Sequence, residues 1–254
     1  MKTILVTGSK GFLGRSFIQE LQDNHCVNII EFDRNCSLDS LSEKVIAADF
    51  IAHFAGEVNP KCTDDEFVTS NAGLTESLVR ELRVTGKSIP ILFTSTIHAI
   101  EPKNAYGKSK QIAEAALAHY AQESKALVWL FRLPHVFGPG CKPNYNSAIS
   151  TWIYNSINNI EIKVYDRGIK INYCYSRDIV KQFSQIIYCE EGDFGVKEMQ
   201  PNIIYPTTLG SVVDLIEAIR SSQINPSDSF ESKLMETYQS YLSISNDNDS
   251  ALYS

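Results

Sequence analysis

Tyr106 and Lys110 stand four positions apart in the helical candidate Tyr106–Gln122. Residues so spaced share one face of a helix, which makes the phenol and the ammonium neighbours. Reduction of a ketone by hydride needs a proton on the carbonyl oxygen. A tyrosine with an ordinary pKa of about 10 is a poor donor at neutral pH unless a cation sits nearby. Lys110 is therefore expected to lower the Tyr106 pKa and to hold a nicotinamide ribose, with Tyr106 giving the proton. Ile91-Leu92-Phe93-Thr94-Ser95-Thr96 ends in hydroxyls; Thr96 is the candidate to bind a substrate carbonyl and orient Tyr106, and Ser95 is its rival. Hydroxyls at a strand end also satisfy backbone groups, the plainer reading of both. His98 is a candidate on the substrate side, although a loop histidine is more often a surface residue.

A second constellation opens the chain. Thr7-Gly8-Ser9-Lys10-Gly11-Phe12-Leu13-Gly14 follows a β-branched run and precedes a helical pattern. In that setting Gly8 permits a tight turn, Gly11 lets backbone approach a pyrophosphate, and Gly14 lets helix pack on strand. The helix N-terminus adds free N–H groups and a positive dipole end. Gly8, Lys10, Gly11, Phe12 and Leu13 are thus the expected dinucleotide contacts. Asp33 follows at the spacing where an acid binds ribose hydroxyls and favours NAD, while Arg34 suits a 2′-phosphate and NADP. Phe54-Ala55-Gly56 supplies a small-residue turn for backbone beside the nucleotide.

These residues need a scaffold that brings strand ends to one rim. Thr3–Thr7, Asn28–Phe32, Phe50–Phe54, Ile91–Ser95 and Leu127–Arg132 read as strands, with helices near Phe12–Gln22, Leu38–Ala47, Asp64–Leu82 and Tyr106–Gln122. Such alternation predicts an α/β fold of the Rossmann type, a doubly wound parallel sheet over 1–132 with ligands at the carboxyl ends of its strands. From 133 to 242 a smaller substrate-binding portion is expected, with helices near Ser147–Asn158, Arg177–Glu190 and Thr208–Ser221 and strands near Ile162–Val164 and Ile171–Cys174. Residues 243–254, rich in Ser, Asn and Asp, read as a tail.

The 254 residues are 43% hydrophobic and 21% charged, which suits a packed globular chain. A formal charge of −7 disfavours nucleic acid and anionic membranes as partners. Six cysteines lie far apart without metal-ligand spacing, so no metal is expected and the thiols are expected reduced and mostly buried. Neither a signal-peptide core nor a membrane-length apolar run is present, and the cytoplasm is the expected location.

Taken together, the Gly8/Gly11/Gly14 spacing, Phe50-Ile-Ala-His-Phe-Ala-Gly56, Asn71 with Gly73 and Thr75, and Thr96, Tyr106 and Lys110 resemble the extended short-chain dehydrogenase/reductases, the NAD-dependent epimerase/dehydratase family. Asn104–Lys110, Arg132-Leu-Pro-His-Val-Phe-Gly138 and Cys141-Lys-Pro-Asn-Tyr-Asn-Ser147 resemble a branch that serves capsular polysaccharide synthesis. That resemblance implies reduction of the 4-keto group of a UDP-2-acetamido-2,6-dideoxy-hexos-4-ulose, with NADP(H) favoured and NAD(H) left open. It adds Asn71 to the cofactor residues. It also implies substrate contacts from His135, Lys142, Asn144 and Asn146 with Tyr145 nearby, and a homodimer formed through helices. From the residues themselves, a Lys and two amides in a Pro-containing loop suit a diphosphate or sugar hydroxyls or equally a turn, Arg177 is a further candidate for the diphosphate, and Asp178 is the candidate to cap its helix.

Two features depart from the family pattern: 33–49 is too short for the usual extra strand and helix, and only ten positions separate Thr96 from Tyr106. In the polysaccharide branch a metal-binding cupin domain follows the reductase half, beginning about where this sequence ends. An epimerase or dehydratase that returns its hydride, and a non-catalytic dinucleotide sensor, are the competing readings; net nicotinamide consumption separates the first from a reductase.

Overall fold

The computed structural model describes residues 1–24, 26–188, 194–224, 226 and 229–246. In order, these form β1 (Lys2–Thr7), α1 (Phe12–Asn24), β2 (Val27–Phe32), α2 (Ser40–Ala47), β3 (Phe50–His53), α3 (Asp64–Phe67), α4 (Leu74–Thr85), β4 (Ile91–Thr96), α5 (Ala105–Ser124) and β5 (Leu127–Leu133). There follow β6 (His135–Phe137), α6 (Ala148–Ile157), β7 (Lys170–Tyr175), α7 (Ser176–Ile186), β8 (Gly195–Met199), β9 (Tyr205–Thr208), α8 (Leu209–Arg220) and α9 (Ser229–Asn246).

Two compact units divide the chain, one of 1–133 and 180–201, the other of 134–179 and 202–254. The first is built on a six-stranded sheet in the order β2-β1-β3-β4-β5-β8, every pairing parallel. Parallel strands covered on both faces must be apolar throughout, and Ile4, Leu5, Val6, Phe50, Ile51, Ile91 and Leu92 are all fully buried. The strand order reverses beside β1, between β1 and β3, where such sheets open a ligand crevice. In the second unit β6 runs parallel to β7, and β7 antiparallel to β9. An aromatic core of Phe137, Trp152, Tyr173, Tyr175, Tyr205 and Phe230 fills it.

Several sequence-based expectations are corrected. The helix predicted over Asp64–Leu82 is broken by a π-helical stretch, Val68–Gly73, between α3 and α4. An extra residue per turn there rotates Asn71 inward, a register that helical periodicity does not reveal. Ile162–Val164 forms no strand; the two side chains lean on the second core from irregular backbone, so their alternation reflects packing without a ladder partner. The second portion does not run unbroken from 133 to 242, because 180–201 returns to the first unit and supplies β8. Residues 243–246 belong to α9 instead of a tail, and 247–254 lie outside the described residues. Of the cysteines, only Cys141 and Cys174 are buried; Cys26 is exposed, Cys36 and Cys62 are half-buried, and Cys189 lies outside the described residues.

Candidate active site

The glycine-rich turn leaves β1 and enters α1. Gly8 has φ +67°, and a Cβ on it would stand 2.7 Å from the Ala55 backbone nitrogen, so only glycine fits. Its N–H donates to the Phe32 carbonyl at 2.7 Å, and its own carbonyl accepts from Gly11 N–H at 2.9 Å. A Cβ on Gly14 would collide with that same Gly8 carbonyl, and α1 can pack on the turn only without one. Gly11 is exposed, Phe12 and Leu13 open α1 half-buried, and first-turn N–H groups of a helix have no partners within it. Ser9 is buried with its hydroxyl unpartnered among the described residues, a donor passed over from sequence alone.

Asp33 follows β2 and is engaged on both oxygens. Oδ1 accepts from Asn35 N–H at 2.7 Å, and Oδ2 pairs with Lys10 at 3.0 Å. The Asn35 N–H, then Lys10, hold its pKa below the usual carboxylate range, and Asp33 raises that of the exposed Lys10. Arg34 is exposed, 3.9 Å from Glu57. Phe54 packs edge-on to Phe17 at 5.1 Å and stacks on Phe183 at 5.6 Å, which anchors the turn. Ala55 N–H donates to Thr7 Oγ1, and a Cβ on Gly56 would lie 3.1 Å from Lys110 Nζ.

Asn104 caps α5 by accepting from Gly107 N–H at 2.8 Å, and that cap sets the phase of the helix carrying Tyr106 and Lys110. Lys110 is 4% exposed, donates to the Thr94 carbonyl at 3.0 Å and lies 4.8 Å from the Phe93 ring centroid. Burial pulls its pKa down to about 8, against the opposing pull of Glu114. Tyr106 packs against Phe67 at 5.7 Å between ring centroids; burial pushes its pKa up to about 12, with Thr96 pulling the other way. The expected lowering by Lys110 does not show in the chain by itself, where loss of water around the hydroxyl is the larger influence and Thr96 the opposing one. Tyr106 is thereby protonated at neutral pH and a weaker acid than a free tyrosine.

Thr96 and Ser95 separate cleanly. Ser95 Oγ donates to Glu114 Oε1 at 2.5 Å, inside an ion pair between Glu114 and Arg132 at 2.7 Å. Thr96 acts on the Tyr106 hydroxyl and accepts from His98 N–H at 3.3 Å, while the His98 side chain is exposed. Asn71 is buried and committed to protein: Oδ1 accepts from Glu57 N–H at 2.7 Å, and Nδ2 donates to the Glu57 carbonyl and to Ser109 Oγ.

In the second unit, Lys142, Asn144 and Asn146 are exposed on the segment before α6, with Asn144 at φ +56° and its N–H bonded to Thr151. Lys142 Nζ lies 5.9 Å from the Tyr145 ring centroid, and His135 is exposed beside Tyr173. Arg177 is paired with Glu236. Asp178 does not cap its helix as expected; it accepts from Tyr205 Oη at 2.9 Å and pairs with Lys233. Among the described residues there is no His/Cys/Asp/Glu cluster able to hold a metal, and no helix long and apolar enough to cross a membrane.

The model of the NAD dependent epimerase/dehydratase family matches residues 4–192. A UDP-2-acetamido-2,6-beta-L-arabino-hexul-4-ose reductase of Pseudomonas aeruginosa is 34% identical over 220 residues, 87% of this chain and 58% of the relative. The chain therefore spans somewhat over half of that protein. Among solved structures, the capsular polysaccharide assembling protein CapF of Staphylococcus aureus superposes with a TM-score of 0.82 at 35% identity, covering 94% of this chain and 65% of CapF. A UDP-glucuronic acid 4-epimerase of Bacillus cereus, solved with UDP-glucuronic acid and NAD, gives 0.82 at 16% identity over 95% of this chain and 99% of its own, a likeness of fold.

Proposed function

This chain belongs to the NAD-dependent epimerase/dehydratase family, and from that premise we propose that it is an NAD(P)H-dependent reductase of a UDP-linked 4-keto sugar. Its substrate class on this reading is UDP-2-acetamido-2,6-dideoxy-hexos-4-ulose, in surface polysaccharide synthesis, in line with the reductase it resembles at 34% identity. The observation that carries the reading is a phenol and a buried lysine four residues apart on one helix, the lysine held by the Thr94 carbonyl at the end of β4.

The residues present fit a dinucleotide. Gly8 and Gly14 let the turn close against the Ala55 backbone and its own Gly8 carbonyl, and the Ser9 hydroxyl is orphaned in the same turn. Gly8, Gly11, Phe12 and Leu13 are the groups assigned to its pyrophosphate. Lys110, held by the Thr94 carbonyl beside Gly56, is assigned to its ribose. Because Asp33 is already engaged on both oxygens while Lys10 and Arg34 are exposed cations, a 2′-phosphate has partners here, which favours NADP(H) over NAD(H). When bound, the dinucleotide supplies the hydride. Tyr106 Oη gives its proton to the carbonyl oxygen, and Thr96, as its hydrogen-bond partner, orients the phenol and stabilises its anion. Lys110 supplies positive charge that favours the proton's departure. We assign His98, His135, Lys142, Asn144 and Asn146 to recognition of the sugar nucleotide. Arg177, neutralised by Glu236, is left out.

The test is net consumption. Purified protein mixed with a UDP-linked 4-keto-6-deoxy sugar should oxidise NADPH, faster than NADH, one equivalent per sugar reduced. Interconversion of sugars with no net loss of nicotinamide absorbance would make it an epimerase instead.

A further inference from the structure

His53, at the end of β3, takes no part in the chemistry above, yet it is fully buried and hydrogen-bonded through both ring nitrogens. Nδ1 lies 2.6 Å from Thr7 Oγ1, and Nε2 lies 2.9 Å from Thr75 Oγ1. The neighbours decide its tautomer. Thr75 Oγ1 has one proton, which it donates to the Asn71 carbonyl at 2.7 Å, so toward His53 it can only accept. Nε2 therefore carries the hydrogen. Thr7 Oγ1 accepts from Ala55 N–H at 3.3 Å, leaving its own proton for Nδ1. A protonated ring would put a second donor against Thr7 near the Lys110 charge, and burial and Lys110 together lower its pKa to about 3.

The donors then run in one sense. Ala55 N–H gives to Thr7, Thr7 O–H to His53, His53 Nε2–H to Thr75, and Thr75 O–H to the Asn71 carbonyl. Asn71 Nδ2–H gives to Ser109 at 2.9 Å, and Ser109 O–H to the backbone carbonyl of Tyr106 at 2.8 Å. Asn71 also clasps both backbone groups of Glu57, the residue after Gly56. We propose that His53, neutral and protonated on Nε2, is a positioning residue that ties the end of the glycine-rich strand to the π-helical stretch and sets Tyr106 and Lys110 relative to the dinucleotide turn. This rests on the assignment of Tyr106 and Lys110 as the reacting pair. Hydrogen bonds aligned in one direction polarise one another, so losing the central link loosens both ends. The π-helical stretch gains a purpose: it aims Asn71 at the Gly56–Glu57 turn and at α5 from one position.

The proposal is tested on histidine-¹⁵N-labelled protein and on three substitutions. Long-range ¹H–¹⁵N spectra should show His53 with a bare Nδ1 and a protonated Nε2, unchanged from pH 8 to pH 5. A protonated Nδ1, or a ring that titrates in that range, overturns the proposal. His53→Gln keeps a donor toward Thr75, whereas His53→Asn keeps only the acceptor toward Thr7. Displacing catalytic groups by about 1 Å costs on the order of 100-fold. His53→Asn should therefore lose roughly that factor in kcat with dinucleotide KM changed about threefold or less, and His53→Gln should recover most of it. Equal losses in two folded variants refute the relay. Should either fail to fold, Thr75→Val decides: exchange of the Asn71 side-chain amide should quicken at least about tenfold, and unchanged exchange overturns the proposal. The tautomer and exchange measurements need no substrate, so an absence of turnover would defeat the proposed reaction while leaving this relay to be judged separately.

Discussion

The residues assigned to the reaction in the first unit and those assigned to recognition in the second are held in opposite ways. In the first, Lys110, Asn71, Thr96 and His53 are each buried, at most 5% exposed, and each is held by named partners. In the second, the residues assigned to recognition, Lys142, Asn144 and Asn146, stand exposed on irregular backbone before α6. Buried polar groups tolerate no misplacement, because an unmet partner costs about 1–3 kcal/mol, whereas an exposed side chain can fall back on water. Lys110, Asn71, Thr96 and His53 are thus fixed by their partners, while Lys142, Asn144 and Asn146 are free to adapt.

If the first unit is the rigid partner, removal of one hydroxyl there should have the largest effect. Tyr106→Phe should leave dinucleotide affinity within about threefold but lower kcat by roughly 10³-fold, the scale of a lost general acid. Isothermal titration alongside steady-state rates separates the two, and retained turnover would break the contrast at its centre.

Next in size is acid stability. His53 in the unfolded chain takes up a proton near pH 6.5, but in the folded chain only near pH 3. Between those values unfolding binds an extra proton, so stability should fall with pH by up to about 1.4 kcal/mol per unit and level off below the lower value. Urea unfolding at pH 7, 5 and 4 reads that slope, which His53→Gln should flatten.

Lys110 makes a kinetic counterpart on the alkaline side. Its ammonium form exists below about pH 8, so kcat/KM should drop about tenfold per unit above that value as the charge is lost. In Lys110→Arg, which stays charged, that limb should move out of the accessible range whatever residual rate remains; a limb that stays put assigns it to another group. The smallest effect is expected in the second unit, where Lys142→Ala should raise the KM for the sugar nucleotide about tenfold or less with kcat nearly unchanged.

Legibility from sequence follows the same division. Gly8, Gly11 and Gly14 announce the turn because close backbone contact admits no side chain, and the buried parallel strands announce themselves as unbroken apolar runs. β8 stayed hidden because Gly195-Val-Lys-Glu-Met199 pairs as an edge strand with little apolar pattern. β6 and β9, of three and four residues, are too short to show a period. His53 stands within the Phe50–Gly56 motif, but its role depends on hydroxyls at Thr7 and Thr75, brought together only by β1–β3 pairing and the π-helical stretch. The sequence already favours Thr96 over Ser95, but what occupies Ser95, Glu114 nineteen positions beyond it, is visible only in the structure.

The most direct measurement follows a single hydride. NADPH carrying deuterium on the transferred position, incubated with the UDP-linked 4-keto sugar, should yield a reduced sugar one mass unit heavier, the label at C4, with an equal amount of NADP⁺ formed. Turnover to a sugar product without label and without net NADP⁺ would contradict the proposed reduction.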